Sequence, residues 1–324
     1  LTVLAAPIKN IVFSQVDSRV LPASNSAALA SKIISDRFPG QEGNPIEIIV
    51  PNGATMGTQI NQYTNEIAQV PGIVRIGDSQ VSGNDVRVTA IHSMGPRTPA
   101  AEVLIKDIRK IRAPEGTLIG GVAADYADTQ IGIAKTMPWA LLWIAIGVLI
   151  LLFVFTGSII LPIKAIILNI LSLGATLGVI TWIFVDGHLK WLVGDFTVTG
   201  SVDTGSIILV AVVAFGLSMD YEVFLLSRIK EEHDAGRSNV ESVATGLQRS
   251  ARIITAAAGL LAIVFASFML SGVTSIKMLG FGVAFAILLD ASLVRALLVP
   301  ALMRLFGERN WWAPKAMKRF TINH

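Results

Sequence analysis

The chain has 324 residues, of which 52% are hydrophobic and 15% charged, with a net charge of +3 and a mean hydropathy of +0.63. A typical soluble domain carries about 25% charged residues, so a plain soluble enzyme is excluded as the default. The absence of cysteine removes disulfides, thiolate chemistry and Cys-ligated metals, and His92, His188, His233 and His324 show no metal-ligand spacing.

Residues 1–8 lack the Met and the basic n-region of a signal peptide. They are expected to be the outer end of a truncated transmembrane helix. Residues 9–136 read as a soluble α+β domain. After a leading helix over 26–38, a strand is expected at 46–50. A helix over 57–69 puts Ile60, Tyr63 and Ile67 on one face and stops at Pro71-Gly72. A short strand at 73–76 precedes a turn at Ser82-Gly83-Asn84. Val86, Val88 and Ala90 then alternate with Arg87 and Thr89, as in a half-buried strand. Thr98-Pro99 supplies an N-cap and a first helical position. The helix that it opens aligns Leu104, Ile108 and Ile111, and residues 117–120 close the series. The order β-α-β-β-α-β is that of the ferredoxin-like split unit. Residues 123–135 read as a helix leading into the membrane.

Residues 137–304 hold five apolar spans, at 137–155, 162–185, 206–226, 253–270 and 278–299, each close to the length that a bilayer requires. Pro138 and Pro162 stand near the starts of the first two, and Ala256-Ala257-Ala258-Gly259 offers a small face for helix packing. Lys164, the group Arg228, Lys230, Arg237, Arg249 and Arg252, and the group Arg304, Arg309, Lys315, Lys318 and Arg319 flank loops on one side. By the positive-inside rule that side is the cytoplasm, which makes 9–136 extracytoplasmic and 305–324 a cytoplasmic tail. The polar segment 228–250 reads as a short interfacial helix with Val240, Val243, Ala244 and Leu247 on one face.

The third span contains Asp220-Tyr221-Glu222. An ionised carboxylate among membrane helices is penalised by about 2.5–3.5 kcal/mol on insertion scales, so it readily exchanges a proton. Asp220 lies about 21 Å along its span and Asp290 about 18 Å along the fifth, at 1.5 Å per residue, which places the two acids at similar depth. Gly216, one turn before Asp220, is expected to let a neighbouring helix approach the acid. Glu222 lies on the opposite face and is expected to reach toward the cytoplasmic end. Arg295, five residues after Asp290 and about 140° around an α-helix, is poorly placed to pair with it.

Several stretches resemble the MmpL (mycobacterial membrane protein large) family of the RND transporter superfamily. They are 216–232 around Asp220-Tyr221, 252–258, Leu288-Leu289-Asp290-Ala291-Ser292-Leu293-Val294-Arg295, Trp311-Trp312-Ala313-Pro314 and 157–164. The resemblance implies the C-terminal half of a larger transporter: an extracytoplasmic porter-type domain and then five transmembrane helices in the plasma membrane. It also implies a proton relay through Asp220 and Tyr221, with Asp290, Arg295, Glu222 and Gly216 as supporting positions. The implied function is export of a cell-envelope lipid or glycolipid, of the trehalose monomycolate kind, by alternating access driven by the proton motive force. The partners implied are that lipid, the N-terminal half and the surrounding membrane lipids. No nucleic acid, metal or organic cofactor is called for, protons being the coupling ion. Two alternatives stand beside this reading. One is an uncoupled lipid-binding or sensing module of the same superfamily. The other is an intramembrane aspartyl protease using Asp220 and Asp290, although neither acid sits in a Gly-x-Gly-Asp motif. No phosphate-binding Gly-x-x-x-x-Gly-Lys-Ser/Thr loop is present to use ATP.

Overall fold

A computed structural model of the chain describes residues 1–38, 40 and 42–314. Lys315, Lys318 and Arg319, used above for orientation, lie outside the described residues. The chain forms two compact units, Val12–Pro138 and Leu1–Ile11 with Trp139–His324.

In the first unit the strands Ile46–Val50, Ile73–Ile76, Asp85–His92 and Leu118–Gly120 make one antiparallel sheet. Asp85–His92 lies between Ile73–Ile76 and Ile46–Val50, and Leu118–Gly120 takes the far edge. The extra strand Gln80–Ser82 pairs with Asp85–His92. Register follows from alternation, since a slip of one residue would turn every apolar side chain outward. Ile46, Ile48 and Val50 stand opposite Ala90, Val88 and Val86, and all six are buried. Helix Gly57–Ala68 adds Ile60, Tyr63 and Ile67 to that core, and Pro99–Ile108 adds Leu104, Ile105 and Ile108. The Thr98 side chain accepts from the Ala101 amide, as the N-cap reading requires. The leading helix Ser26–Arg37 buries no residue.

Among the described residues five helices are long and apolar enough to cross a membrane. We label them α1 (Val122–Thr156), α2 (Ile160–Ile180, extended to Val185), α3 (Thr204–Asp234), α4 (Asn239–Ser267) and α5 (Thr274–Leu289, continued to Phe306). Pro138 lies inside α1, not near its start, because the helix begins at Val122. The segment 228–250 is not a separate interfacial helix. Its first part lengthens α3, and its second part opens α4 behind a capping box formed by Ser238 and Glu241. Val243 is buried in the core and Leu247 packs against it, while Val240 is exposed. Arg237 and Arg249 both pair with the buried Glu232, so neither is spent on headgroups alone.

Close packing in this unit rests on glycines that periodicity did not single out. A Cβ on Gly246 would lie 2.9 Å from the backbone of Ile229, where α3 meets α4. A Cβ on Gly216 would meet nothing within 4 Å among the described residues, so the close approach expected there is not made within this unit.

The three basic connections gather at one end of the unit. The Ile159 amide donates to the Trp312 carbonyl at 3.2 Å, the Ser158 hydroxyl donates to the Asn310 carbonyl, and the Asn239 amide donates to Glu308 at 3.2 Å.

Candidate functional site

Helix α3 carries two polar faces. Ser218, Glu222, Leu225 and Ile229 follow the inward stripe at helical spacing and are buried. Leu209, Val212, Gly216 and Asp220 follow the outward stripe and are exposed. Tyr221 lies between them, half-buried. The expected relay pair is therefore split, with Asp220 turned away from the other described helices of this unit.

The inward face meets a π-helical stretch, Asp290–Leu298, that continues α5. There Arg295 pairs with Asp290, which corrects the expectation that it is poorly placed to do so. In a π-helix the hydrogen bonds run from i to i+5, so residues five apart share a face. Both side chains are buried, at 2% and 7% exposure. Ser218 joins them: its hydroxyl donates to Asp290 Oδ1 at 3.0 Å and accepts from Arg295 Nη2 at 3.2 Å. Arg295 Nη2 also donates to the Ser218 carbonyl, and the guanidinium lies 5.1 Å from the centre of the Tyr221 ring. Arg295 Nη1 is buried without a hydrogen-bond partner.

Glu222 does not reach toward the end of its helix. It is buried beside α2, where Asn169 Nδ2 donates to its Oε2 at 3.2 Å. One turn earlier on α2, Lys164 donates to Asn310 Oδ1 and lies 5.0 Å from the Phe306 ring centre. The structure thus brings Asp290, Arg295, Glu222 and Tyr221 into one region and leaves Asp220 and Gly216 on the outer stripe. Among the described residues the hydrogen bonds of the cluster do not reach Asp220.

Ser218 and Asn169 were missed as site residues, yet both had a signal. Ser218 precedes Glu222 by one helical turn, and Asn169 is an amide inside an apolar span, where an unpaired polar group is costly. Chemically, the cluster can hold a carboxylate ionised against Arg295 and offer a second, less compensated carboxyl at Glu222.

The MMPL family pattern matches residues 19–322. The chain belongs to the MMPL family. Among curated relatives it is 36% identical to a putative membrane protein of Streptomyces coelicolor, over 98% of this chain and 44% of the relative. It is 33% identical to the trehalose monomycolate exporter MmpL3 of Mycobacterium tuberculosis, over 98% of this chain and 35% of the relative. It is 32% identical to the mycolic acid-containing lipids exporter MmpL11 of Mycolicibacterium smegmatis, over 97% of this chain and 34% of the relative. The chain therefore spans less than half the length of these relatives. Family membership and the five apolar helices make this MMPL chain a multi-pass membrane protein.

Proposed function

We propose that this MMPL chain forms the C-terminal half of a proton-driven exporter of an envelope lipid or glycolipid, the class to which trehalose monomycolate belongs. The observation that carries the reading is a carboxylate on an apolar outer stripe, Asp220, one residue from an aromatic ring that covers the buried Arg295. A charge facing hydrocarbon is costly. On this reading the outer stripe of α3 is the surface that an N-terminal half covers, giving Asp220 polar partners there. Protonation of Asp220 removes the cost of its charge and lets the two halves repack. The change passes inward through Tyr221 to Arg295, Asp290 and Ser218, whose interlocked bonds respond as a unit.

The unit Val12–Pro138 is a porter-type domain of ferredoxin-like topology on this reading, supported by its strand order and by two helices that pack on the sheet. Basic connections gathered at one end of the helical unit support placing that end in the cytoplasm and the porter domain outside the plasma membrane. The test is lipid export in cells carrying full-length Asp220→Asn at wild-type abundance. Export should fall to background, while Asp220→Glu retains part of it. Normal export by Asp220→Asn would refute the relay.

A further inference from the structure

A cavity in the helical unit lies between Lys164 and Glu222, walled by Leu168, Leu226, Val299 and Met303. It has about 10 Å³ of room for the centre of a water-sized sphere, roughly what one water needs. Its lining residues are apolar except for Lys164 and Glu222, the two that could partner a water there. The charged groups facing Glu222 are Arg295 and Asp290 on the fifth helix and Lys164 on α2.

These neighbours are not equivalent. Asp290 and Arg295 already satisfy each other, with Ser218 bonded to both. Glu222 has a single hydrogen-bond donor, Asn169. A buried carboxylate with one donor is poorly compensated, so Glu222 is the least satisfied acid of the cluster. Lys164 stands between the cavity and the end of the unit where α2 begins. Its ammonium is bound to Asn310, and Asn310 Nδ2 is itself fixed by the Met303 and Gly307 carbonyls at 2.6 Å each.

We propose that Glu222, one cavity water and Lys164 form a proton exit from the polar cluster, with Asn310 holding Lys164 at its mouth. The O–H bond of the Glu222 carboxyl breaks, the water takes that proton, and it passes one of its own outward to bulk water. Lys164 stays an ammonium throughout, and its charge stabilises the carboxylate left behind. No electron transfer is involved. The inference rests on the proton-coupled reading above and adds to it the route by which protons leave.

The test uses the full-length protein in proteoliposomes with entrapped pyranine, an imposed pH step and protons as the probe. Glu222→Gln should slow the pyranine response by about a hundredfold, the low end of what a positioned proton-transfer group contributes, and Glu222→Asp should recover most of it. Lys164→Met should slow the response and alter its pH profile, because the positive charge beside the cavity is lost, whereas Lys164→Arg should keep the wild-type profile. Thermal unfolding of each variant separates lost folding from lost transfer. Wild-type fluxes in Glu222→Gln and Lys164→Met, with Asp220→Asn inactive, would overturn the exit and leave the coupling intact. A wild-type flux in Asp220→Asn would instead sink the coupling itself. A Lys164→Met variant that is merely less stable, with an unmoved pH profile, would also overturn the exit.

Discussion

Arg295 reaches Asp290 across five residues because the chain between them is wound as a π-helix, and the pair is sealed from solvent with Ser218 bonded to both partners. Removing one member of a buried pair strands the other, at a typical cost of about 3–5 kcal/mol. Arg295→Met should therefore lower the thermal midpoint sharply and end transport. Asp290→Asn keeps an acceptor for Ser218 and should cost less stability while still ending transport. Differential scanning fluorimetry of the purified full-length variants checks the order. Equal midpoints for the two would show that the ion pair does not organise this helix.

Two glycines on neighbouring helices should behave in opposite ways. Gly246→Val forces a branched side chain against the backbone of Ile229 and should cost roughly 1–3 kcal/mol or more by overpacking. Gly216→Ala meets open space in this unit and should leave its stability unchanged. If the N-terminal half covers the outer stripe of α3, Gly216→Ala should nonetheless reduce transport. Unfolding midpoints together with lipid export separate the two effects, and unimpaired export would argue against a close helix there.

Much of this organisation was legible in the sequence, because it follows from periodicity and length. Alternation through Val86, Val88 and Ala90 gave the strand and its buried face, and runs of about 20 apolar residues gave the five helices. The site was legible only in part. An α-helical wheel separates Asp290 from Arg295, and only the π winding, which no residue pattern announced, joins them. Glu222 was expected to reach toward the cytoplasmic end because its span ends nearby, but α3 continues to Asp234 and buries it beside Asn169. Glycine content alone did not tell Gly246, pressed against a helix, from Gly216, facing out.

His92 provides a pH probe of the α+β unit. It is fully buried on the strand Asp85–His92, with Nε2 on the Asn44 carbonyl at 3.1 Å. Burial lowers its pKa, against the opposing hydrogen bond to the Asn44 carbonyl. Above the ordinary imidazole value of about 6.5 it is neutral in both states, and its contribution is fully present. As pH falls through that value the unfolded chain takes up the proton first, so stability declines until the folded pKa is passed. Hydrogen exchange of this strand between pH 7.5 and 5 should show rising opening, and His92→Gln should flatten the slope. An unchanged slope in the variant would remove His92 as its source.

The turn Gly307–Trp311 that follows the fifth span is docked on the helical unit. Trp311 stacks on His233 at 4.3 Å with an interplanar angle of 3°, and its Nε1 donates to Asn239 Oδ1 at 3.1 Å. Trp311→Ala removes both contacts and should cost on the order of 2–4 kcal/mol, as large aromatic truncations do. Limited proteolysis should then cut after residue 306 faster than in the wild type. Unchanged cleavage would mean that the stack contributes little to the docking.

The central claim is that the Asp220 carboxyl couples proton entry to lipid movement. The most direct measurement is lipid transfer by the full-length protein in proteoliposomes, with and without a pH gradient, for the wild type and for Asp220→Asn. The wild type should move a trehalose-lipid probe several-fold faster with the gradient, and Asp220→Asn should show neither gradient-driven transfer nor proton flux at wild-type folding. Gradient-driven transfer that persists in Asp220→Asn would contradict the claim.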